Sequence, residues 1–288
     1  MEQLLVQTKS IHKNAKRLTQ GKETVGTLIR EWRTLRKLSQ MELALESDIS
    51  PRHLSFVETG RSKPSAQVLM TMANYLDIPL RTRNTLLLAA GFAPRYSEQS
   101  LGSAQMAQIK SAIQRLLDTH DPYPGVALDG QWNVVLHNKS SERLIGLLPA
   151  HLKHPSVNMF RASLHPEGFA QHTENFDEWG SYLLQVLHRL VSTSRDEATT
   201  ELAREIYSYP NVQKIRARAV NQPPASSSLL VPCVLNLQGQ EVSLFTTLTT
   251  FGSPRDITLH ELFIELFYPS NKITEQFLKA AIQGSPNP

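Results

Sequence analysis

The sequence has a single cysteine, Cys233, in 288 residues. That excludes an internal disulfide framework and a zinc site built from several cysteines. Cys233 lies in the apolar run Leu229–Leu235, so it reads as a small buried hydrophobe rather than a reactive thiol. No apolar run approaches the ~18 residues that a membrane-spanning helix needs, so no membrane insertion is expected. The N-terminus lacks an apolar signal-peptide core: Lys9, Lys13, Lys16 and Arg17 stand where one would lie. A cytoplasmic protein is the expectation. There is no Gly-rich phosphate loop and no nucleophilic-serine motif. Asp177 and Glu178 lie near His172, but nothing fixes them beside a nucleophile. An enzyme is therefore not expected.

Charge is unevenly distributed. Residues 1–95 carry 15 Lys/Arg against 8 Asp/Glu, and residues 96–288 carry 15 against 18. A basic N-terminal unit joined to a mildly acidic one fits a nucleic-acid-binding head on a different body, and chance drift in surface charge is the alternative. At 40% hydrophobic and 19% charged, the chain can bury a core. Five segments follow: a basic N-terminal segment 1–22, a helical head 23–95, a linker 96–103, a body 104–283 and a tail 284–288.

The head is dense in local signals. Val25, Leu28, Ile29, Trp32 and Leu35 recur at helical spacing. Ser39 and Glu42 form a capping box that starts a second helix. Asp48 stands at a turn where the backbone goes left-handed, a conformation that Asp tolerates. Ser50 is an N-cap and Pro51 suits the first position of a third helix. Gly60 terminates that helix and Arg61–Lys63 is a basic loop. Two more helices follow Pro64 and Pro79. Two short helices around a tight turn, the second with a polar outer side, form a helix-turn-helix suited to a DNA major groove.

The stretch Gly26 to Pro94 resembles the lambda-repressor-like, or XRE-type, helix-turn-helix domain. The resemblance rests on Leu38-Ser39-Gln40, Leu43-Ala44, Ile49-Ser50 and Glu58, Gly60 and Arg61 in the right order and spacing. It implies that Gln40 contacts a phosphate at a helix N-terminus. It places Ser50, Pro51, Arg52, His53, Ser55 and Phe56 on the recognition helix. Arg52 suits a bidentate contact to guanine, and Pro51 or Phe56 a thymine methyl. Arg61 and Lys63 take backbone phosphate. Arg33 and Glu58 match a structural ion pair between the first and third helices. A double-stranded DNA operator bound by a homodimer follows. For each polar residue the alternative is a solvated side chain, which leaves His53 and Ser55 most open.

The body reads as α+β. Asp129-Gly130 between alternating runs signals a hairpin, with Trp132, Val134 and Leu136 on one face. A helix is expected at Ala104–Thr119, others near Ser141–Leu147, Tyr182–Val191 and Arg195–Tyr207, and a closing one over Ile273–Ile282. Residues 149–180 read as irregular with short helices. Leu229–Leu235 and Glu241–Thr250 read as strands around a Gln238-Gly239 turn. Thr258 and Glu261 read as a capping box, with Leu259, Leu262, Phe263, Leu266 and Phe267 at helical spacing behind it. The order fits a small antiparallel sheet with helices on one face.

This half resembles the ligand-binding domain of MmyB-like transcription regulators, which is PAS-like. The resemblance rests on Val134 and Asn138, Asn158 and Arg161, Phe251-Gly252-Ser253-Pro254, Asp256, Glu261 and Phe267-Tyr268-Pro269. It implies an effector pocket between sheet and helices. Phe160, Trp179, Leu183, Leu187 and Phe245 are candidates to line it, with Arg161 or Arg216 pairing an anionic head group, as a fatty acid would present. Ordinary core packing is the alternative reading of the same residues. No cofactor is expected. His151, His154, His165 and His172 form the densest histidine patch, but His154 precedes Pro155, which disfavours a ligand-presenting helix, so no metal is expected. Two functions stand side by side: a regulator gated by a small apolar effector, and a constitutive repressor whose body only dimerises or binds protein.

Overall fold

The computed structural model describes residues 24–194, 196–219, 229–237 and 239–283. The basic segment 1–22, the tail 284–288 and Gln238 of the expected turn lie outside the described residues. Contacts between Cα atoms divide the chain into two units. One holds the described residues up to Gln99 together with Ser253–His260, and the other holds Ser100–Gly252 and the described residues from Glu261.

The first unit is built on five helices: α1 (Val25–Leu35), α2 (Gln40–Glu46), α3 (Pro51–Glu58), α4 (Ala66–Tyr75) and α5 (Leu80–Ala89). Thr24, Ser39, Ser50 and Ser65 each cap the helix that follows with a side-chain oxygen. Ser39 and Glu42 complete a reciprocal capping box. Asp48 turns the chain between α2 and α3 with φ +53°, and Gly60 leaves α3 with φ +75°. Ile29, Trp32, Leu43, Ala44, Leu54, Leu69 and Met72 have no exposed surface and form the core. Gly26 permits the closest approach in this core: a Cβ there would lie 2.1 Å from the Val57 carbonyl oxygen of α3.

The short helix Ile257–His260 packs in this unit. Asp256 is buried before it, accepting from the Ser97 hydroxyl (2.7 Å), the Gln99 amide (3.0 Å) and the Thr258 amide (2.9 Å). Asp256, not the expected Thr258–Glu261 box, therefore caps this turn. Ser97 and Gln99 of the expected linker are held by it.

The second unit is a five-stranded antiparallel sheet in the order β2-β1-β5-β4-β3, with β1 Gly125–Leu128, β2 Val134–His137, β3 Cys233–Leu237, β4 Gln240–Thr250 and β5 Phe263–Pro269. The α+β, PAS-like expectation stands. Helices cover both faces rather than one. Helix α6 (Ala107–His120) packs Ile113 and Leu117 on Ala127 and Ile264. The opposite face carries Val126, Leu128, Val242 and Leu244 against α9 (Met159–Leu164), α10 (Phe176–Ser194), α11 (Glu197–Ser208) and α12 (Pro210–Ala219). Helices α7 (Lys139–Gly146) and α8 (Ala150–Lys153) precede them, and α13 (Ile257–His260) and α14 (Lys272–Gln283) complete the chain order.

Three local expectations are corrected. The helix expected through Phe267 ends at His260, and Phe263–Pro269 is the central strand. A strand covered on both faces is apolar on both, so Phe263, Leu266 and Phe267 mimic helical spacing. The Asp129-Gly130 turn is a five-residue loop in which Trp132, at φ +65°, is the left-handed residue. A register shift in the β1–β2 ladder then sets Val134 opposite Leu128 and Leu136 opposite Ala127, so Val134 and Leu136 do not share a face. Finally, β3 starts at Cys233, because Pro232 has no N–H for the ladder.

Candidate DNA interface and ligand site

Helix α3 offers its first turn to solvent. Ser50, Pro51 and Arg52 are exposed, and His53, Ser55 and Phe56 are half-buried. The Ser50 hydroxyl accepts from the His53 amide, so its first task is the cap. The Arg52 guanidinium lies 5.5 Å from the Phe56 ring centroid, a cation–π contact along the outer side of the helix. Arg61 and Lys63 are exposed just beyond the helix end.

A buried carboxylate sets the pose of α3. Glu58 accepts from Arg33 Nε (2.6 Å) and Nη2 (2.9 Å), with its side chain only 2% exposed. This hydrogen bonding holds the Arg33 guanidinium above its ordinary range, against the opposing effect of burial. Arg33 Nη1 donates to the Leu38 carbonyl (2.7 Å). Gln40 Nε2 donates to the same Glu58 carboxylate (2.7 Å). The clamp thus joins α1, α2 and α3. The Gln40 contact commits one of the two amide protons of a residue that the family resemblance assigns to phosphate. Only the proximity of α2 and α3 reveals it, since the two residues are 18 positions apart.

In the second unit, Phe160, Trp179, Leu183 and Leu187 share one core cluster. Phe160 and Leu187 have no exposed surface, and the Phe160 ring lies 4.7 Å from that of Trp132. Phe245 is not with them. It pairs with Tyr268 across β4 and β5 and stacks on its ring at 5.4 Å, one residue out of step with Val242 and Leu244 and hence on the other face. Of the two arginines, Arg161 is ion-paired and Arg216 packs on an aromatic ring. Arg161 donates to Glu205 through Nε (2.9 Å) and Nη2 (2.7 Å), and Glu205 also accepts from the Tyr209 hydroxyl (2.6 Å). Arg161 holds the Glu205 carboxyl below its usual range. Arg216 sits over the Tyr207 ring at 4.7 Å. An open groove of about 500 Å³ lies on the opposite sheet face, lined by Arg115, Leu116, Thr119, His120 and Leu266. None of the expected pocket residues lines it.

The second unit also buries a titratable group that no local sequence signal marks. Glu265 of β5 is 5% exposed, in the layer that holds Val126 and Leu244. Burial pushes its carboxyl up to about 7, and the Thr246 hydroxyl opposes this by hydrogen bonding. Burial, then the Glu265 charge, pushes the nearby Cys233 thiol up to about 12, as befits an unreactive core cysteine.

The histidine patch assembles differently from its sequence order. His151, His165 and Glu167 bring one ligand atom each within 4.8 Å of one another. His165 Nδ1 accepts the Glu167 amide (3.1 Å), and His151 Nε2 lies 3.3 Å from the Glu167 carboxylate. Burial and then His151 push the His165 imidazole below its ordinary range. The group supplies three of the four ligands a structural zinc takes, two of them exposed.

Residues 109–281, well over half of the chain, match the model of the MmyB-like transcription regulator ligand-binding domain. The chain belongs to this family. Residues 29–82 match a helix-turn-helix family model. An MmyB-like regulator of this composition is a DNA-binding transcription regulator with a ligand-binding domain. Comparison with curated proteins returned no match. Among solved structures, the PAS domain of BvgS from Bordetella pertussis is similar at 15% identity, covering 61% of this chain and 96% of that one, with a TM-score of 0.26. An RNA-binding light-oxygen-voltage receptor is similar at 13% identity, covering 96% of this chain and 68% of that one, with a TM-score of 0.24. At these scores neither likeness bears on what this regulator binds.

Proposed function

We propose that this regulator binds a double-stranded operator sequence-specifically as a homodimer, and that a small apolar or amphiphilic effector in its ligand-binding domain gates that binding. The units are a head over 23–95 and an effector-binding body over 104–283, acting in the cytoplasm. The observation that carries the DNA half is the exposed N-terminal turn of α3, held in place by the Arg33–Glu58–Gln40 clamp. Arg52 reads a base edge, with Ser55, Phe56, Pro51, Ser50 and His53 around it, and Arg61, Lys63 and the remaining amide proton of Gln40 take phosphates. Arg52→Ala loses discrimination at one operator position, on the order of 1–3 kcal/mol. Lys63→Ala weakens all DNA equally and lowers the salt slope by about one. Operator titrations at several salt concentrations separate these outcomes. An unchanged operator preference in Arg52→Ala would refute the register.

An effector gates binding only by favouring one of two states of the protein. The chain leaving β4 supplies Asp256 to the helical unit, where it holds Ser97 and Gln99, before returning as β5. Asp256 is thus covalently continuous with both β4 and β5. The fatty-acid reading narrows, because Arg161 is engaged by Glu205 within the chain. The full burial of Phe160 and Leu187 favours the second reading, a constitutive repressor with a ligand-free body. Native mass spectrometry of the purified protein decides: a co-purified small molecule supports gating. Repeated absence, with no thermal shift from a lipid and metabolite panel, supports the second reading.

A further inference from the structure

The apolar layer on one face of the sheet contains one charged group that the fold does not use. Phe263, Glu265 and Phe267 alternate along β5 and point to the same face. In the ladder Glu265 stands between Val126 of β1 and Leu248 of β4. All four neighbours are apolar. Among the described residues, Oε2 of Glu265 is buried with no hydrogen-bond partner. Among the described residues, no Lys, Arg or His pairs with the carboxyl, and its hydrogen bonding comes from Thr246. The other titratable groups near enough to feel its charge are Tyr182 of α10 and Cys233 of β3. Arg189 acts on Tyr182 in turn.

A buried, half-satisfied carboxyl works against folding. Leucine would fit an apolar strand position with no desolvation cost, and among the described residues no helix cap, turn or ion pair depends on Glu265. Such a group points to a partner from outside the chain. The layer is also reachable. Leu248 is 43% exposed, and Tyr182, Phe263 and Phe267 are only half-buried.

We propose that Glu265 is the polar anchor of the effector site, and that the effector is an apolar amine whose protonated head donates to Glu265 Oε2 while its hydrocarbon body lies between β5 and α10. This rests on the reading of the body as an effector site, and it names the ligand class. Thr246 holds the carboxyl and leaves Oε2 for the ligand. A carboxyl pushed up to about 7 gives up its proton readily when an ammonium arrives, so the bound pair is ionic. A carboxylate ligand would instead meet a like charge. Of the two arginines considered for such a head group, Arg161 is already paired with Glu205.

The test uses the full chain and three chain-matched probes, decylamine, decanol and decanoate, each below its micellar concentration at pH 7.5. Binding is read by tryptophan fluorescence and thermal shift. The wild type prefers decylamine to decanoate by about 10- to 100-fold, the range of a charge-assisted hydrogen bond. Glu265→Gln and Glu265→Leu both bring the amine down to the level of decanol and leave decanol binding intact, which shows that the site still forms. Decanoate binding as tightly as decylamine overturns the proposal, as does an amine preference that survives in Glu265→Gln. Either result leaves effector gating standing. If none of the three probes binds the wild type, both the anchor and the effector reading fall.

Discussion

Glu265→Gln changes how the stability of the protein depends on pH. The carboxyl titrates near 4.5 in an unfolded chain and is pushed up to about 7 when folded. A folded state with the higher value holds its proton more tightly, so stability falls as pH rises between the two values. The contribution is fully present below about 4.5 and has been lost once the pH passes about 7. At 1.36 kcal/mol per pK unit, the loss is on the order of 3 kcal/mol, most of it between pH 5 and pH 8. Glutamine keeps the shape and cannot ionise, so the variant lacks this slope. Urea unfolding of wild type and variant at a series of pH values isolates the effect, because all other titrating groups are common to both. The variant gains on the wild type steadily towards pH 8. Parallel curves, or a wild type that gains on the variant with rising pH, would refute the assignment of a buried, unpaired carboxyl.

Three further perturbations probe other parts of the molecule. Glu58→Ala leaves Arg33 without its buried partner and Gln40 without its acceptor, which costs about 3–5 kcal/mol and abolishes operator binding; thermal melting and a gel-shift titration check both. Gly26→Ala drives a methyl into the Val57 carbonyl oxygen and pushes α1 off α3, costing about 1–3 kcal/mol by urea unfolding, and an unaffected variant would disprove the close approach. Asp256→Ala frees Ser97 and Gln99. DNA affinity without ligand is then retained while the response to an effector is lost, as titrations with and without the ligand would read.

Much of the helical unit was legible because its signals are local. Caps at Ser39, Ser50 and Ser65 act within four residues, as does the left-handed turn at Asp48. Apolar spacing in α1 and α4 reports one buried face each, the case in which periodicity is unambiguous. The sheet was less legible. A strand buried on both faces carries no alternation, and so β5 passed for a helix. Helix α12, with arginines in its last turn, showed no clear apolar stripe and was missed.

The chain by itself determined that a helix-turn-helix sits on a basic head, and that an α+β body of the MmyB-like kind follows. The first is a property of short-range order, which folds much the same wherever the segment finds itself. Which polar groups meet was decided only in three dimensions. Gln40 reaches Glu58 because α2 crosses α3, and Asp256 reaches Ser97 across some 160 positions (159 apart). Phe245 leaves the expected pocket by one step of strand register. Glu265 looks in sequence like an ordinary surface acid between apolar neighbours. Its place on the central strand removes it from water, and that desolvation turns it into the feature of the body most in need of a partner.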